Sequence, residues 1–317
     1  MNDCYSIVVP VYNNQGSLIK LVEILQEKVF SQFQQKNFEL IMVDDGSADG
    51  SYQELLEIRN RLMPGIKIVR LTRNFGQLAA ILAGYSKATG KCVVNISADL
   101  QDPPELISEM LGYFENDQYE IVICTRIGRD ENFIRRYTSK VFYRLIKALS
   151  FKNMPEGGFD YVLLSDKAKK IILESQEVNP FWQGQILWTG FKIKYSPYLR
   201  LQRPVGKSAW TFGKKLKMLI DGVLSYSYFP IRLMTVLGTV IALIGFVYAL
   251  FIIVAKIFGK VPVQGWAPIM VLILVLSGIQ MLMLGIIGEY LWRTLDQVRK
   301  RPHFIIESIL EENTINR

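Results

Sequence analysis

Residues 5–205 predict an α/β domain with a mostly parallel sheet, and the last third predicts a membrane hairpin. Apolar runs of strand length alternate with segments of helical periodicity, as in parallel strands covered on both faces. Carboxylates gather where those runs end. Two long uncharged stretches follow near the C-terminal end.

The elements can be taken in order. Ser6–Val9 is a short strand that ends at Pro10. Ser17–Phe33 places Leu18, Leu21, Val22, Leu25 and Val29 at helical spacing. Phe38–Val43 is a second buried strand, closed by Asp44-Asp45-Gly46-Ser47. Ser51–Leu62 reads as helix, Ile66–Leu71 as strand, Gln77–Ala88 as helix and Cys92–Ile96 as strand. Pro104–Asn116 is a helix opened by prolines, which suit a first helical turn. Glu120–Thr125 is a further strand.

Leu233–Val254 runs for 22 residues and Trp266–Gly288 for 23 without a charge. At about 1.5 Å per residue each spans a hydrocarbon core of about 30 Å. Lys207, Lys214, Lys215, Lys217 and Arg232 precede the first stretch, and Arg293, Arg299, Lys300 and Arg301 follow the second. Only Lys256 and Lys260 lie between, so both termini are expected in the cytoplasm. Lys214–Ser225 carries apolar residues at helical spacing among lysines, the pattern of a helix lying on a bilayer surface. Tyr226, Tyr228, Phe229, Trp266, Tyr290 and Trp292 are expected as interfacial anchors.

Composition narrows the chemistry. The chain of 317 residues is half apolar, with a mean hydropathy of +0.19. It carries 37 Lys+Arg against 29 Asp+Glu, a formal +8, so anionic partners are expected. The excess sits beside the membrane stretches, which argues against nucleic acid. Three cysteines and one histidine leave no disulfide framework and no Cys/His zinc cluster. A Ser-His-Asp or Cys-His pair would have to use His303, beyond the apolar stretches. Met1-Asn2-Asp3 has no basic stretch of the kind that opens a secretory leader. The chain has neither a Gly-x-x-x-x-Gly-Lys-Ser/Thr loop nor a Gly-x-Gly-x-x-Gly after the first strand, so a P-loop NTPase and a standard dinucleotide-binding domain are disfavoured.

In open parallel sheets, ligands bind beyond the carboxyl ends of the strands. Asp44 and Asp45 follow one strand, Asp99 and Asp102 another; Pro10 and Tyr12 end a third and Arg126 a fourth. One such loop is ordinary turn chemistry. Several on one rim, with Arg126, Arg135 and Arg136 at hand, point to a divalent cation bound with a phosphorylated ligand.

These residues resemble a known family. Ser6-Ile7-Val8-Val9-Pro10-Val11-Tyr12-Asn13, Val43-Asp44-Asp45-Gly46-Ser47, Arg73-Asn74-Phe75-Gly76-Gln77 and Ala98-Asp99-Leu100-Gln101-Asp102-Pro103-Pro104-Glu105 are similar to family 2 glycosyltransferases of the GT-A fold. Gly206-Lys207-Ser208, Trp210, Phe229-Pro230-Ile231-Arg232, Gly288-Glu289-Tyr290 and Arg301-Pro302 resemble the polyprenyl-phosphate branch, which holds bactoprenol glucosyltransferases and is related to dolichyl-phosphate mannose synthases. The resemblance covers nearly the whole chain. It implies a GT-A domain over 1–205, an amphipathic juxtamembrane segment over 206–230, two transmembrane helices within 231–292 (about 231–256 and 266–290) and a cytoplasmic tail over 293–317.

The resemblance also implies roles. Pro10, Tyr12, Asn14, Asp44, Asp45, Ala98, Asp99 and Gln101 would bind the nucleotide sugar. Asp99 and Gln101 would hold Mg²⁺ or Mn²⁺. Arg126, Arg135, Ser139, Arg200, Arg203 and Lys207 would meet donor or lipid phosphate. Asp160, in Gly158-Phe159-Asp160-Tyr161, would be the catalytic aspartate. Three positions depart from the family pattern: Ser97 replaces the first acid of Asp-x-Asp, Asn14 a frequent Glu, and Ala209 a common Lys.

The implied reaction moves a sugar, first of all glucose from UDP-glucose, to polyprenyl phosphate at the cytoplasmic face of a bacterial inner membrane, with inversion. UDP-N-acetylglucosamine, GDP-mannose and an aminoarabinose donor remain open. A homo-oligomer, with a tetramer as one form, is expected. A processive polysaccharide synthase is disfavoured, because Gln185-Ile186-Leu187-Trp188 lacks the Gln-x-x-Arg-Trp pattern. An inactive membrane scaffold is favoured only by Ser97 and opposed by Asp45, Asp99, Gln101 and Asp160 together.

Overall fold

A computed structural model describes residues 4–33, 35–126, 144, 147, 153–155, 158–175, 181–201, 227, 229–258 and 265–311. Through the first part of the chain the elements alternate as expected: β1 (Cys4–Val11), α1 (Leu18–Lys28), β2 (Asn37–Asp44), α2 (Ser51–Arg61), β3 (Lys67–Leu71), α3 (Gln77–Lys87), β4 (Cys92–Asn95), α4 (Leu106–Glu115) and β5 (Ile121–Arg126). Then come β6 (Tyr161–Ser165), α5 (Asp166–Glu174), α6 (Trp182–Trp188), β7 (Ile193–Tyr198), α7 (Phe229–Ile257), α8 (Trp266–Arg299) and β8 (Ile306–Leu310). The helix expected over Ser17–Phe33 stops at Lys28, and Phe30–Phe33 tightens into a 3₁₀ turn.

Among the described residues, eight strands form one sheet in the order β7-β5-β6-β4-β1-β2-β3-β8. β1 pairs in parallel with β2 and β4, β2 with β3, and β5 with β7. β6 runs antiparallel between β4 and β5, and β8 antiparallel to β3. The apolar strands serve both faces. Ile7, Val9 and Val11 of β1 pack with Leu18, Leu21 and Leu25 of α1, whereas Val8 packs with Ala80 and Ala83 of α3. Gly84 lets α3 approach closely: a Cβ there would meet Val8 Cγ1 at 2.3 Å.

Helix ends are anchored by side chains. Glu54 of α2 caps α1: Oε1 accepts the Leu18 and Ile19 N–H groups at 3.0 Å. Ser165 caps α5, accepting the Ala168 N–H at 3.1 Å, and Asp166 places negative charge in the first turn.

The strand directions bring the functional loops to one rim. The carboxyl ends of β1 to β5 and β7 share it. Because β6 and β8 are antiparallel, their amino ends lie there too. Asp160, just before β6, therefore reaches the same rim as Asp99.

α7 and α8 are long and apolar enough to cross a membrane, with candidate spans at Pro230–Tyr248 and Val275–Arg299. Gly238 of α7 faces Met283 of α8, a Cβ there coming within 3.4 Å of its Cε. Glu289 pairs with Arg293 one turn on, at 3.0 Å. The amphipathic helix expected at Lys214–Ser225, and Tyr226 and Tyr228, lie outside the described residues.

The stretch expected as a tail, 293–317, holds the last turns of α8 and then β8. β8 is fixed to β3 by its ladder, by the Thr72 N–H donating to the Ile305 carbonyl at 3.1 Å, and by Lys67–Glu311 at 3.2 Å and Arg70–Glu307 at 3.3 Å. The sheet thus ends in a strand that follows both long apolar helices, α7 and α8, in sequence.

Candidate functional site

The loops after β1 and β2 are stapled together. The Asp45 N–H donates to the Val11 carbonyl at 2.8 Å, and the Asn13 N–H to Ser47 Oγ at 3.1 Å. Asn13 Oδ1 accepts the Ala48 N–H, and the Asn14 N–H donates to Ser51 Oγ. Pro10 sits inside β1 opposite Val43, and Tyr12 projects, 46% exposed, from the turn that follows.

The two adjacent aspartates have different surroundings. Asp44 is fully buried; Oδ1 accepts the Ser47 N–H at 3.1 Å. Its Oδ2 has no hydrogen bond, with Arg70 Nε at 3.6 Å. Arg70 in turn stacks on Tyr52 and reaches Glu307 of β8. Asp45 uses both oxygens, accepting the Phe75 N–H at 2.7 Å and the Gly76 N–H at 2.9 Å. Burial pushes its carboxyl above the usual range, the Asp44 charge adds to this, and the two N–H groups only partly offset it. Asp45 therefore holds the Arg73-Asn74-Phe75-Gly76 loop in place. Gly46 makes the contact possible: its φ is +65°, and a Cβ would meet backbone atoms of Arg73 and Asn74 at 2.6–2.8 Å.

After β4 the chain turns sharply. Leu100 has φ +58°, a left-handed conformation that costs a side-chain-bearing residue about 1–2 kcal/mol. The turn lets Asp99 Oδ1 accept the Gln101 N–H at 3.2 Å. Ser97 Oγ lies 2.8 Å from Asp99 Oδ1 and 2.6 Å from Asp102 Oδ2. It has one proton, so it serves one carboxylate at a time. Ala98 is buried, its carbonyl accepting from Ser17 Oγ at 2.9 Å. Gln101 is tied to Leu201: Nε2 donates to the Leu201 carbonyl at 3.2 Å, and the Leu201 N–H donates to the Gln101 carbonyl at 2.9 Å. That clasp brings Arg200 over the carboxylates, Nε 3.4 Å from Asp102 Oδ1 and Nη2 4.0 Å from Asp99 Oδ2.

Among the described residues, no three His, Cys, Asp or Glu side chains converge as a metal cage. Asp99 and the Gln101 amide are oxygen donors suited to a hard divalent cation, which commonly takes one or two protein ligands and completes its shell with phosphate and water. The residues present fit such an ion bound together with a diphosphate.

The second half of the site centres on Asp160. Its Oδ2 accepts from Arg126 Nη2 at 2.6 Å, and Oδ1 lies 3.5 Å from Gln183 Nε2. Gln183 also donates to the Phe159 carbonyl at 3.1 Å, and Asn95 Nδ2 donates to the Asp160 carbonyl. Asn95 is itself set by the Tyr85 hydroxyl at 2.8 Å. Burial works against the Arg126 charge, but Asp160, Tyr198 and Asp102 outweigh it and hold the guanidinium protonated. Tyr198 stands opposite Arg126 in the pairing of β7 with β5, and its hydroxyl donates to Asp102 Oδ1 at 2.5 Å.

The structure thus gathers Asp99, Gln101, Arg126, Asp160 and Arg200 on one rim, with Pro10 and Asp44 near the ends of β1 and β2 and Tyr12, Asn14, Asp45 and Ala98 in the adjoining loops. Arg135, Ser139, Arg203 and Lys207 lie outside the described residues. Tyr198, Gln183 and Asn95 join the site without a motif to announce them; Asp102 was legible only as one more carboxylate of its cluster.

Residues 6–171 match the model of Glycosyl transferase family 2. An uncharacterized glycosyltransferase of Bacillus subtilis, YkcC, is 37% identical over 96% of this chain and 93% of its own length. A prophage bactoprenol glucosyl transferase homolog of Escherichia coli is 31% identical over 96% of this chain and 98% of its own. Among solved structures, glucosyl-3-phosphoglycerate synthase from Mycobacterium tuberculosis superposes with a TM-score of 0.50 at 16% identity, over 70% of this chain and 79% of that one. This last likeness concerns the fold.

Proposed function

The chain belongs to glycosyl transferase family 2, and from that premise we propose that it transfers glucose from UDP-glucose to a polyprenyl phosphate at the cytoplasmic membrane surface. A glycosyltransferase acting on a nucleotide sugar follows from the family and its relatives. The acceptor is the further step, and one topological observation carries it. β7 ends at the rim that bears Asp99, Asp102 and Arg126, and the next element among the described residues is α7, which starts at Phe229. β8 begins at the same rim after α8 ends at Arg299. Both connections to the apolar helices therefore leave from the end of the sheet where the chemistry lies. A lipid phosphate that cannot leave a bilayer needs such an arrangement. The bactoprenol glucosyl transferase names of several full-length relatives support the same acceptor.

In this reading Asp99 and Gln101 would hold Mg²⁺ or Mn²⁺. When bound, the ion stabilises the charge that grows on the departing UDP. Arg200, already poised over Asp99 and Asp102, adds a fixed guanidinium beside that charge. The tie between Gln101 and Leu201 keeps Arg200 there. The acceptor is a phosphate monoester with a second pKa of about 6, so most of it is dianionic at neutral pH. Asp160 then has little proton to remove. Held by Arg126 and Gln183, it orients the reacting groups. One displacement at the anomeric carbon inverts it, giving a β-linked lipid sugar from an α-linked donor. The site faces the cytoplasm, and the functional unit is a homo-oligomer.

The test is a panel of labelled UDP- and GDP-sugars given to the detergent-solubilised protein with undecaprenyl phosphate and Mn²⁺. UDP-glucose is expected to label the lipid, and NMR of the product to show a β linkage. An α linkage, or label from GDP-mannose alone, overturns the corresponding part of the reading.

A further inference from the structure

Between the metal-side carboxylates and Asp160 runs a row of polar groups, hydrogen-bonded in pairs or paired across neighbouring strands. Ser97 links Asp99 to Asp102. The Tyr198 hydroxyl donates to Asp102 at 2.5 Å, Tyr198 stands opposite Arg126 in the pairing of β7 with β5, and Arg126 donates to Asp160 at 2.6 Å. The residues come from β4's exit, β5, β6's approach and β7, so no single loop holds them. Tyr198 is the junction. It lies 96 residues from Asp102 in sequence and is 5% exposed. Its ring packs edge-on against Tyr161, centroids 6.1 Å apart, which fixes where the hydroxyl points. A neutral phenol is the group that can accept from a guanidinium and donate to a carboxylate at once.

We propose that Tyr198 is a positioning residue that couples the metal-side carboxylates Asp99 and Asp102 to the Arg126–Asp160 pair. Occupation of the metal locus then orders the acceptor side, and the state of Asp160 is felt at the metal. This rests on the glycosyltransferase reading of the two loci. Such coupling is reciprocal in binding free energy. Removing the hydroxyl while keeping the ring breaks the junction and leaves both ends in place. Turnover should suffer, because Arg126 and Asp160 lose a constraint on their geometry. Donor affinity should not, because the contacts after β1 and β2 are untouched.

The experiment uses the full chain in detergent with the Tyr198→Phe substitution. Turnover is expected to fall about tenfold or more, as for a displaced catalytic group, with the KM for donor changed less than about twofold. A second readout does not depend on turnover. Calorimetry of Mn²⁺ with UDP is run on the parent, Asp160→Asn, Tyr198→Phe and the double variant. Asp160→Asn is expected to change Mn²⁺ affinity about fivefold in the parent and not when Tyr198 is Phe. An equal effect in both backgrounds, or none in the parent, overturns the proposal, as does full turnover by Tyr198→Phe. If Tyr198→Phe does not fold, Asp102→Asn replaces it in the same cycle, with the same two outcomes. Absence of transfer by the parent with every donor would count against the function, while the calorimetric cycle would still decide the coupling.

Discussion

Arg126 Nη2 and Asp160 Oδ2 lie 2.6 Å apart across the antiparallel strands β5 and β6, which makes Asp160 a carboxylate whose charge is already matched. A carboxylate held by a guanidinium on one oxygen and near an amide on the other is fixed in place, as a positioning group must be. Asp160→Asn is therefore expected to lower turnover about a hundredfold, equally at pH 6 and pH 8.5, with the affinity for UDP in the absence of metal unchanged. Recovery at pH 8.5 would assign Asp160 the role of general base. The pH–rate profile of the variant decides between them.

Asp99 and Gln101 carry the metal reading. Asp99→Ala is expected to weaken Mn²⁺ binding in the presence of UDP at least about tenfold, a loss at the low end of what metal-site substitutions cause. Titration calorimetry measures it. Unchanged affinity would place the ion elsewhere.

Gly46 stands where a side chain has no room. Gly46→Ala combines a left-handed backbone with overlap on Arg73 and Asn74. It is expected to cost about 2 kcal/mol or more and to weaken UDP binding as the Asp45-held loop shifts. Thermal unfolding in detergent and UDP calorimetry check both parts.

Glu39 shows how the sheet depends on pH. Burial alone would raise its carboxyl, but the Thr89 N–H, the Ser6 hydroxyl and Lys67 outweigh burial and hold it below the ordinary value of 4.5. A carboxyl lowered in the folded state adds stability above its unfolded pKa and loses that contribution as the pH falls through the folded value. Glu39→Gln is expected to destabilise the protein by about 2 kcal/mol at pH 7, with the gap to the parent narrowing below pH 4.5. A gap that stays constant on acidification would contradict the ion-pair account.

The parallel half of the fold was legible because it is written locally. Val8 and Val9 of β1, Ile41, Met42 and Val43 of β2 and Val93 and Val94 of β4 make apolar runs suited to buried strands, and Asp44 and Asp99 mark the ends of the second and third. β6 and β8 were not legible, since their place depends on partners far away. Tyr161–Ser165 is inserted between β4 and β5, and Ile306–Leu310 returns to β3 after the two long apolar helices. The same holds for the site. Asp99 and Asp160 stood in recognisable motifs, whereas Tyr198 and Gln183 acquire meaning only through the pairing of β5 with β7 and the approach of α6 to Asp160. Asp45 was expected at the nucleotide; in the structure both its oxygens hold the Phe75–Gly76 turn.

The central claim is that a sugar moves to a lipid phosphate at a metal-dependent site on this rim. Purified protein with radiolabelled UDP-glucose, Mn²⁺ and undecaprenyl phosphate should transfer label into the organic phase. EDTA, or replacing the acceptor by undecaprenol, should abolish it. Label that enters the organic phase equally with undecaprenol, or that persists in EDTA, would contradict the account.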